Sequence, residues 1–395
     1  MKSNYKNLGQ FIRQVDVRNI EGKEDNLLGV SVQKTFIPSI ANTVGTDFSK
    51  YKVVKKGQFT YIPDTSRRGD KIGIALLKDY DEGLVSNVYT VFEIEDESAL
   101  LPDYLMLWFS RPEFDRYARF KSHGSVREVM DWDGMCKVEL PVPPIDKQRE
   151  IVHAYQVIND RIALKRKIND NLLQQAQAIF KHWFTDNPNL DDMKQVPLAE
   201  LCLVVTKGTT PTTLGKPFVT EGINFIKVES ILDNHTFDQN KFAFIDSETN
   251  NLLKRSIINS GDIIFTIAGT LGRFALIDDS VLPANTNQAV AIIRANQNKV
   301  TPDYLYSFFL GNWHNDYYRK RIQQAVQANL NLGTIKSLPI PILPDKAMSE
   351  YLRILSPIIT MTKANELEIT KLRAIRDTLL PKLMSGQVDV SAIEL

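Results

Sequence analysis

The chain repeats itself at a distance of about two hundred residues. Pro102-Asp103-Tyr104-Leu105 returns two hundred positions on as Pro302-Asp303-Tyr304-Leu305. Leu140-Pro141-Val142-Pro143 returns 198 positions on as Leu338-Pro339-Ile340-Pro341, and Asp146-Lys147 returns as Asp345-Lys346. Asn169 has its counterpart in Asn365. Solenoid repeats run to about 20–50 residues, so a period this long denotes whole domains. Each copy is a globular part that leads through a proline-stiffened exit into a long, charged, apolar-periodic segment. A length of 395 residues accommodates two such copies at ordinary domain size.

Composition narrows the class. With 43% hydrophobic residues two full cores are available. The net charge of +1 excludes a chain that holds nucleic acid by a global field, so any such binding must come from local patches. Cys136 and Cys202 are the only cysteines and form no CxxC pair, which fits a reducing cytoplasm and offers neither a disulfide framework nor a zinc site. Residues 1–30 hold no apolar run of the kind a signal peptide needs, and no stretch of about 20 apolar residues occurs anywhere. The expectation is a soluble cytoplasmic protein.

Residues 1–144 read as the first globular part, a mixed α/β region. Val53–Ile62, Lys71–Leu77 and Val85–Ile94 are β-rich and separated by Gly and Asp turn signals. Leu101–Phe109 is predicted helical after the Pro102 start. Residues 187–344 read as the second part, with strands at Ile223–Val228, Asp262–Ile267 and Ala289–Arg294 and a helix from Tyr304 to Phe309. Between and after them lie two helical segments, 145–186 and 345–395. No Gly or Pro interrupts Asp146–Phe184, where Ile151, Tyr155, Ile158, Ile162, Leu172, Ala176, Ile179 and Trp183 form one seam. Lys165 and Asn169 break that seam, as polar register-setting residues do in coiled coils. At about 1.5 Å per residue the helix would be roughly 55–60 Å long. The closing segment carries Leu352, Leu355, Ile359, Ile369, Leu372, Ile375, Leu379 and Leu383. Pro357 interrupts it, so the second helix is expected to begin or bend there, and Pro381 and Gly386 to end it.

These elements predict an α/β (α+β) chain with two globular domains separated by two long antiparallel coiled-coil helices. The arrangement would be pseudo-two-fold symmetric, with unlike heads at its two ends. Such a body suits duplex DNA, whose strands are themselves related by a dyad, and its helices would fix the distance between two half-sites.

The residues then resemble a known family, the specificity (S) subunits of Type I restriction–modification systems. Val205-Thr206-Lys207-Gly208-Thr209-Thr210-Pro211 is similar to the family's opening Lys-Gly-x-x-Pro segment. Gly261-Asp262-Ile263-Ile264-Phe265-Thr266 followed by Gly269-Thr270-Leu271-Gly272-Arg273 is similar to its strand–turn core. Asn285-Thr286-Asn287-Gln288 and Gln327-Ala328-Asn329-Leu330-Asn331 through Pro339-Ile340-Pro341 match further landmarks. In the first half Pro63 through Ala75, Ser86 through Phe92, and Gly124-Ser125-Val126-Arg127 resemble another variety of recognition domain. The ending Leu380-Pro381-Lys382-Leu383-Met384-Ser385-Gly386 is also typical. Their order, in two copies with two helices, carries the resemblance over nearly the whole chain.

The resemblance implies two target recognition domains, each reading one part of a bipartite, asymmetric DNA site. It implies helices that bind two methyltransferase (M) subunits, which carry S-adenosylmethionine and usually methylate adenine N6. Restriction (R) subunits would add translocation and cleavage driven by ATP and Mg. This chain would itself bind no cofactor or metal and act in a bacterial or archaeal cytoplasm.

Candidate DNA contacts follow from side-chain chemistry. Arg67, Arg68 and Lys71 lie in a turn that could set cations on phosphates or on a guanine edge, or be a solvated turn. Ser122, His123, Ser125 and Arg127 lie in a polar, basic, glycine-containing stretch suited to a groove, though a lone histidine is more often an ordinary surface residue. Lys207, Thr209 and Thr210 offer a cation, hydroxyls and backbone for phosphate contact. Arg273 could reach DNA from its glycine turn, or the glycines could simply build a hairpin. Asn287, Gln288, Gln323 and Gln324 carry amides suited to adenine, on a type of side chain common to any surface. On the helices Ile151, Tyr155, Ile158, Ile162, Asn169, Leu172, Ile179, Ile359, Asn365, Ile369, Leu372, Leu379 and Leu383 are the seam or the M-subunit interface. Trp183 and Phe184 are either interface anchors or packing beneath their own domain.

The rival classes are an enzyme, either an autonomous DNA methyltransferase or a nuclease, and a pure coiled-coil interaction protein. An autonomous adenine methyltransferase resembles its relatives in an Asp/Asn-Pro-Pro-Tyr/Phe motif, yet the one Pro-Pro here is Val142-Pro143-Pro144-Ile145. No pair of the five histidines has metal-ligand spacing. A coiled-coil interaction protein without DNA binding is compatible with the near-neutral charge. Retention on duplex DNA that falls steeply with salt separates it from a DNA reader.

Overall fold

The computed structural model describes residues 5–39, 45–64, 71–122, 128–188, 193–322, 330–385 and 387. It divides into two compact units, Met1–Ile162 with Lys371–Leu395, and Ala163–Thr370. The first unit begins with β1 (Tyr5–Asn7), β2 (Ile12–Val15), β3 (Leu28–Val30), β4 (Phe36–Pro38) and β5 (Lys52–Lys55). It continues with β6 (Phe59–Tyr61), β7 (Ile74–Leu76), β8 (Glu82–Val85) and β9 (Thr90–Ile94). Helices α1 (Pro102–Phe109), α2 (Pro112–Lys121) and α3 (Trp132–Cys136), the strand β10 (Glu139–Pro141) and the first half of α4 (Ile145–Phe180) complete it.

The second unit holds β11 (Gln195–Pro197), β12 (Cys202–Lys207), β13 (Ile223–Ile226), β14 (Ala243–Ile245) and α5 (Ser247–Leu252). Next come β15 (Ile263–Thr266), β16 (Phe274–Leu276), β17 (Ala284–Thr286) and β18 (Val290–Ala295). Helices α6 (Pro302–Leu310), α7 (Trp313–Ile322) and α8 (Leu332–Lys336) and the strand β19 (Pro339–Pro341) lead to α9 (Asp345–Met384).

One frame recurs in both units. The antiparallel sheets run β2-β9-β6-β7 and β12-β18-β15-β16, the same order in equivalent strands. Each unit also pins its opening strand to its proline exit, β1 on β10 and β11 on β19. Leu8 N–H donates to Val138 O and Leu198 N–H to Leu338 O, both at 2.8 Å. Tyr104 Oη donates to Pro141 O at 3.0 Å, and Tyr304 Oη to Pro341 O at 2.7 Å. Asp131 caps α3 and Asn331 caps α8 through Gly134 N–H and Thr334 N–H.

These contacts revise the repeat. Pro141 answers to Pro341, an offset of two hundred, whereas the Leu-Pro-x-Pro motif matched Pro141 to Pro339. A two-residue shift leaves the same side chains on the same face of a strand, so the motif looks satisfied in either register.

The exits force extended backbone, and the helices start directly after them. In the first unit Asn159 of α4 accepts from Arg376 of α9 at 3.4 Å, while Ile151 and Ala154 share a core with Leu380, Leu383 and Met384. In the second, Lys165 meets Asn365 and Glu368, and Ala176 and Phe180 share a core with Ile359, Leu355 and Tyr351. Rising numbers on α4 meet falling numbers on α9, so the segments are antiparallel within each unit. Of the two expectations for Pro357, a start or a bend, the start is overturned, because α9 runs through it from Asp345. The ring is exposed on the outer face, while Leu355 and Ile359 beside it are buried. Burial of those neighbours outweighs the one lost backbone bond. Pro381 likewise lies inside the helix, Gly386 falls outside the described residues, and Ile375, expected on the seam, is 51% exposed.

The core of the second unit contains a histidine that the sequence did not mark. His314 is 1% exposed among Phe265, Phe274, Phe309 and Tyr318, and its Nδ1 meets no partner among the described residues. Burial pushes its pKa from 6.5 down to about 4, as it does for His235, whose ring stacks on Phe274 at 3.9 Å. With folded values below unfolded ones, the unfolded chain binds more protons in that window. The stability of this unit is therefore expected to be full above pH 6.5 and to fall as pH drops toward 4. His314 accounts for up to about 3 kcal/mol of this. Urea midpoints at pH 7 and pH 5 measure it, and His314→Phe should flatten the difference; an unchanged slope would refute the assignment.

Candidate nucleic-acid interface

The sheet of the second unit gathers the predicted contacts at one end. Lys207 at the end of β12 pairs with Ala291 near the start of β18, and Thr266 at the end of β15 pairs with Val290. The turn holding Asn287 and Gln288, the turn Gly269–Arg273 and the segment after Lys207 therefore share that end. Leu330 N–H donates to Ile267 O at 3.0 Å, which brings the chain following Gln323 and Gln324 to the same place. The first unit repeats this, with Met130 N–H on Pro63 O at 3.0 Å and a bridge between Asp64 and Val129. Those residues flank the two basic segments predicted there. Arg67, Arg68, His123, Ser125, Arg127, Gln323 and Gln324 themselves lie outside the described residues.

Local chemistry explains the rim. A Cβ on Gly208 would collide with the Thr286 carbonyl, so only glycine lets β12 leave the sheet against β17. Its N–H donates to Asn287 O at 3.0 Å. Gln288 Oε1 accepts from both the N–H and the hydroxyl of Thr210, which ties the segment to the β17–β18 turn. Arg255 Nη2 donates to Thr209 Oγ1 at 3.2 Å. Lys207, Lys254 and Arg255 are exposed around these hydroxyls, an arrangement suited to phosphate oxygens. Arg255 and Lys254 were missed. Neither was among the predicted contacts, and Thr209 lies 46 residues from Arg255.

Other predicted residues are held within their own units. Arg273 makes a two-nitrogen ion pair with Asp233 at 2.7 and 3.0 Å and donates to Ile231 O, so its guanidinium is turned onto the fold. Asn287 Oδ1 accepts from Ala289 N–H within its turn. Ser122 Oγ donates to Ala118 O at 2.7 Å at the end of α2. Lys71 is exposed, and the next residue is anchored by Ile72 N–H donating to Asp115. Among the described residues no three His, Cys, Asp or Glu stand together as metal ligands would, and no helix is long and apolar enough to cross a membrane.

Comparison with known proteins bears on this geometry. Residues 190–373 match the family described as the Type I restriction modification DNA specificity domain. The specificity subunit of the HindI Type I restriction enzyme of Haemophilus influenzae is 23% identical, over 85% of this chain and 88% of its own. The MjaIX specificity subunit of Methanocaldococcus jannaschii is 22% identical over 75% of this chain and 71% of its own. A crystal structure of a Type I restriction–modification S subunit from M. genitalium superposes with a TM-score of 0.56 at 14% identity, covering 96% of this chain and 95% of that one. The second half of this chain carries the Type I specificity domain, and most of the chain's length is similar to Type I specificity subunits.

The helices of this chain use the predicted seam internally. Ile151, Ile162, Asn169, Leu172, Ile359, Asn365, Ile369 and Leu383 are buried within the units, and Tyr155, Ile158, Ile179, Leu372 and Leu379 are half-buried. Phe184 is wholly buried against Tyr304, Phe308 and Tyr351, with Trp183 beside Tyr351, so this pair packs beneath its own unit. A buried seam cannot also serve as a surface for a partner. What stays open are Leu164, Ile354, Met361, Leu367 and Ile375, 38–58% exposed. Periodicity marks the stripe that is buried first, so Leu164, Ile354, Met361 and Leu367 carried no signal in the sequence, and Ile375 was assigned to the buried stripe.

Proposed function

We propose that the chain is the non-catalytic DNA-reading scaffold of its restriction–modification complex. Each unit reads one part of a bipartite, asymmetric site, and the helices hold two methyltransferase subunits. S-adenosylmethionine then belongs to those subunits and ATP with Mg to the restriction subunits, none of them to this chain. The observation that supports the reading is the shared sheet order, with the predicted segments of the second unit at one end of its sheet and the residues that flank those of the first unit joined beyond the equivalent strand. Phosphate contacts at such a rim position the protein, and variable connections read the bases. The exposed apolar residues on α4 and α9 are the faces left for protein partners.

Two measurements test this. Methylation mapping with and without this chain, beside one methyltransferase subunit, should show a two-part motif that needs the chain. Exchanging residues 198–338 should change one half of that motif only, and a change in both halves would sink the two-reader scheme. On duplex DNA, the Lys207→Ala/Arg255→Ala variant is expected to lower affinity across all sequences. The slope of log affinity against log salt should shrink by about 2, as the loss of two phosphate contacts requires. An unchanged slope would remove both residues from the interface.

A further inference from the structure

The two units solve one packing problem differently. Phe109 packs on Phe114 as Phe309 packs on His314, with centroids 4.6 and 5.2 Å apart, so the offset of two hundred holds through this corner. Glu113 therefore stands where the second unit has Trp313, Arg111 where it has Gly311, and Glu139 where it has Pro339. In the second unit Trp313 fills the corner. Its Nε1 donates to Pro339 O at 2.8 Å, and its ring meets Phe308 and Phe180 edge-on at 6.0 and 6.2 Å. Gly311 makes room, because a Cβ there would run into the Phe180 ring.

The first unit has no such ring at this corner. A groove of about 640 Å³ lies there instead, lined by Tyr5, Trp108, Arg111, Glu113, Tyr117 and Glu139 among others. Its walls are aromatic and preset. The Arg111 guanidinium lies over the Trp108 ring at 4.4 Å, and Tyr5, 42% exposed, meets the same ring edge-on at 6.3 Å. Trp108 Nε1 donates to nothing among the described residues. Arg111 Nε lies 3.4 Å from Glu113 but makes no hydrogen bond.

We propose that this groove seats a large aromatic side chain of the methyltransferase subunit, in the place Trp313 takes in the second unit. The proposal rests on the scaffold reading above. The second unit shows which chemistry the corner accepts, an indole-sized ring between aromatic walls with a polar edge on the exit strand. The occupant of the equivalent corner is a protein side chain held by aromatic edges and a backbone carbonyl, which favours protein over phosphate, and Arg111, Lys121 and Lys137 suit carboxylates flanking the partner's ring. Because the second unit has filled its own corner, only one of two methyltransferase copies uses such a groove. The two copies are then held unequally.

The test fills the groove from within. Glu113→Trp copies the solution of the second unit, and Tyr5→Ala removes one wall at an exposed position. Native mass spectrometry of the chain titrated with its methyltransferase subunit reads stoichiometry, thermal midpoints report folding, and duplex binding is measured in parallel. Wild type is expected to take two copies. Glu113→Trp should keep one and bind the other at least tenfold more weakly, with a midpoint within a few degrees of wild type, and Tyr5→Ala should weaken the same copy. Should Glu113→Trp unfold, Tyr5→Ala decides alone. Two copies bound at wild-type affinity by the folded variants would overturn the proposal and leave the scaffold reading intact. Loss of DNA affinity with both copies retained would overturn it in favour of DNA as the occupant. A wild-type chain that binds no methyltransferase subunit would bring down the scaffold reading and this proposal together.

Discussion

Replacing Asp262 with alanine is expected to destabilise the second unit by about 3–5 kcal/mol, the range for breaking a buried charge pair from one side. The carboxylate is fully buried and accepts from Arg294 Nε and Nη2, both at 2.7 Å, and from Asn259 N–H at 2.8 Å. Arg294 also donates to Ile257 O at 3.0 Å, and its hydrogen bonds to Asp262 raise its pKa above the usual arginine value. Alanine would leave a guanidinium only 26% exposed with no counter-charge and strand the Asn259 N–H. Arg294 lies on β18, which pairs with both β12 and β15, so the damage reaches the strands that carry Lys207 and the turn after Thr266. Urea unfolding should show a lower midpoint with an unchanged slope, and duplex affinity should fall only as far as the unfolded population rises. A loss under about 1 kcal/mol would mean that water replaces the carboxylate freely, against its burial.

Asn365→Leu should cost the second unit about 2–3 kcal/mol, and the Asn169→Leu/Asn365→Leu pair should recover most of that. Asn365 Nδ2 donates to Asn169 Oδ1 at 2.8 Å, and Asn365 Oδ1 accepts from Lys165 Nζ at 2.9 Å. Asn169 Nδ2 in turn donates to Glu366 Oε1 at 2.7 Å, and Lys165 pairs with Glu368 at 2.8 Å. One leucine orphans buried polar atoms on the facing helix, whereas two leucines replace both partners by apolar surface. A double-mutant cycle should return a coupling of roughly 1–3 kcal/mol. Additive losses would show that the two amides do not act together. The physical role of the pair is register, since any slip of one helix would bury an amide against an apolar neighbour.

The long helices were legible because an apolar period of three and four residues runs through them past Pro357 and Pro381, and an exposed proline such as Pro357 costs less than the buried flanks provide. The candidate contacts were legible only as scattered segments. β2 and β12 share no visible motif, and the stretches between the shared strands differ in length, so the common sheet order left no trace beyond Pro-Asp-Tyr-Leu and the exits. Arg273 and Arg255 show the limit from both sides. A glycine-flanked arginine looked available but is held by Asp233, and an arginine that no motif singled out reaches Thr209.

By itself, then, the sequence determined that the chain is a duplicated pair of α/β parts with two amphipathic helices, because periodicity and proline placement are local properties of the backbone. The tertiary structure alone decided which seam residues are buried, which cations remain free at the rim, and that Glu113 answers to Trp313. Those outcomes depend on which distant side chains compete for the same space and the same hydrogen bonds, and no local pattern records that competition.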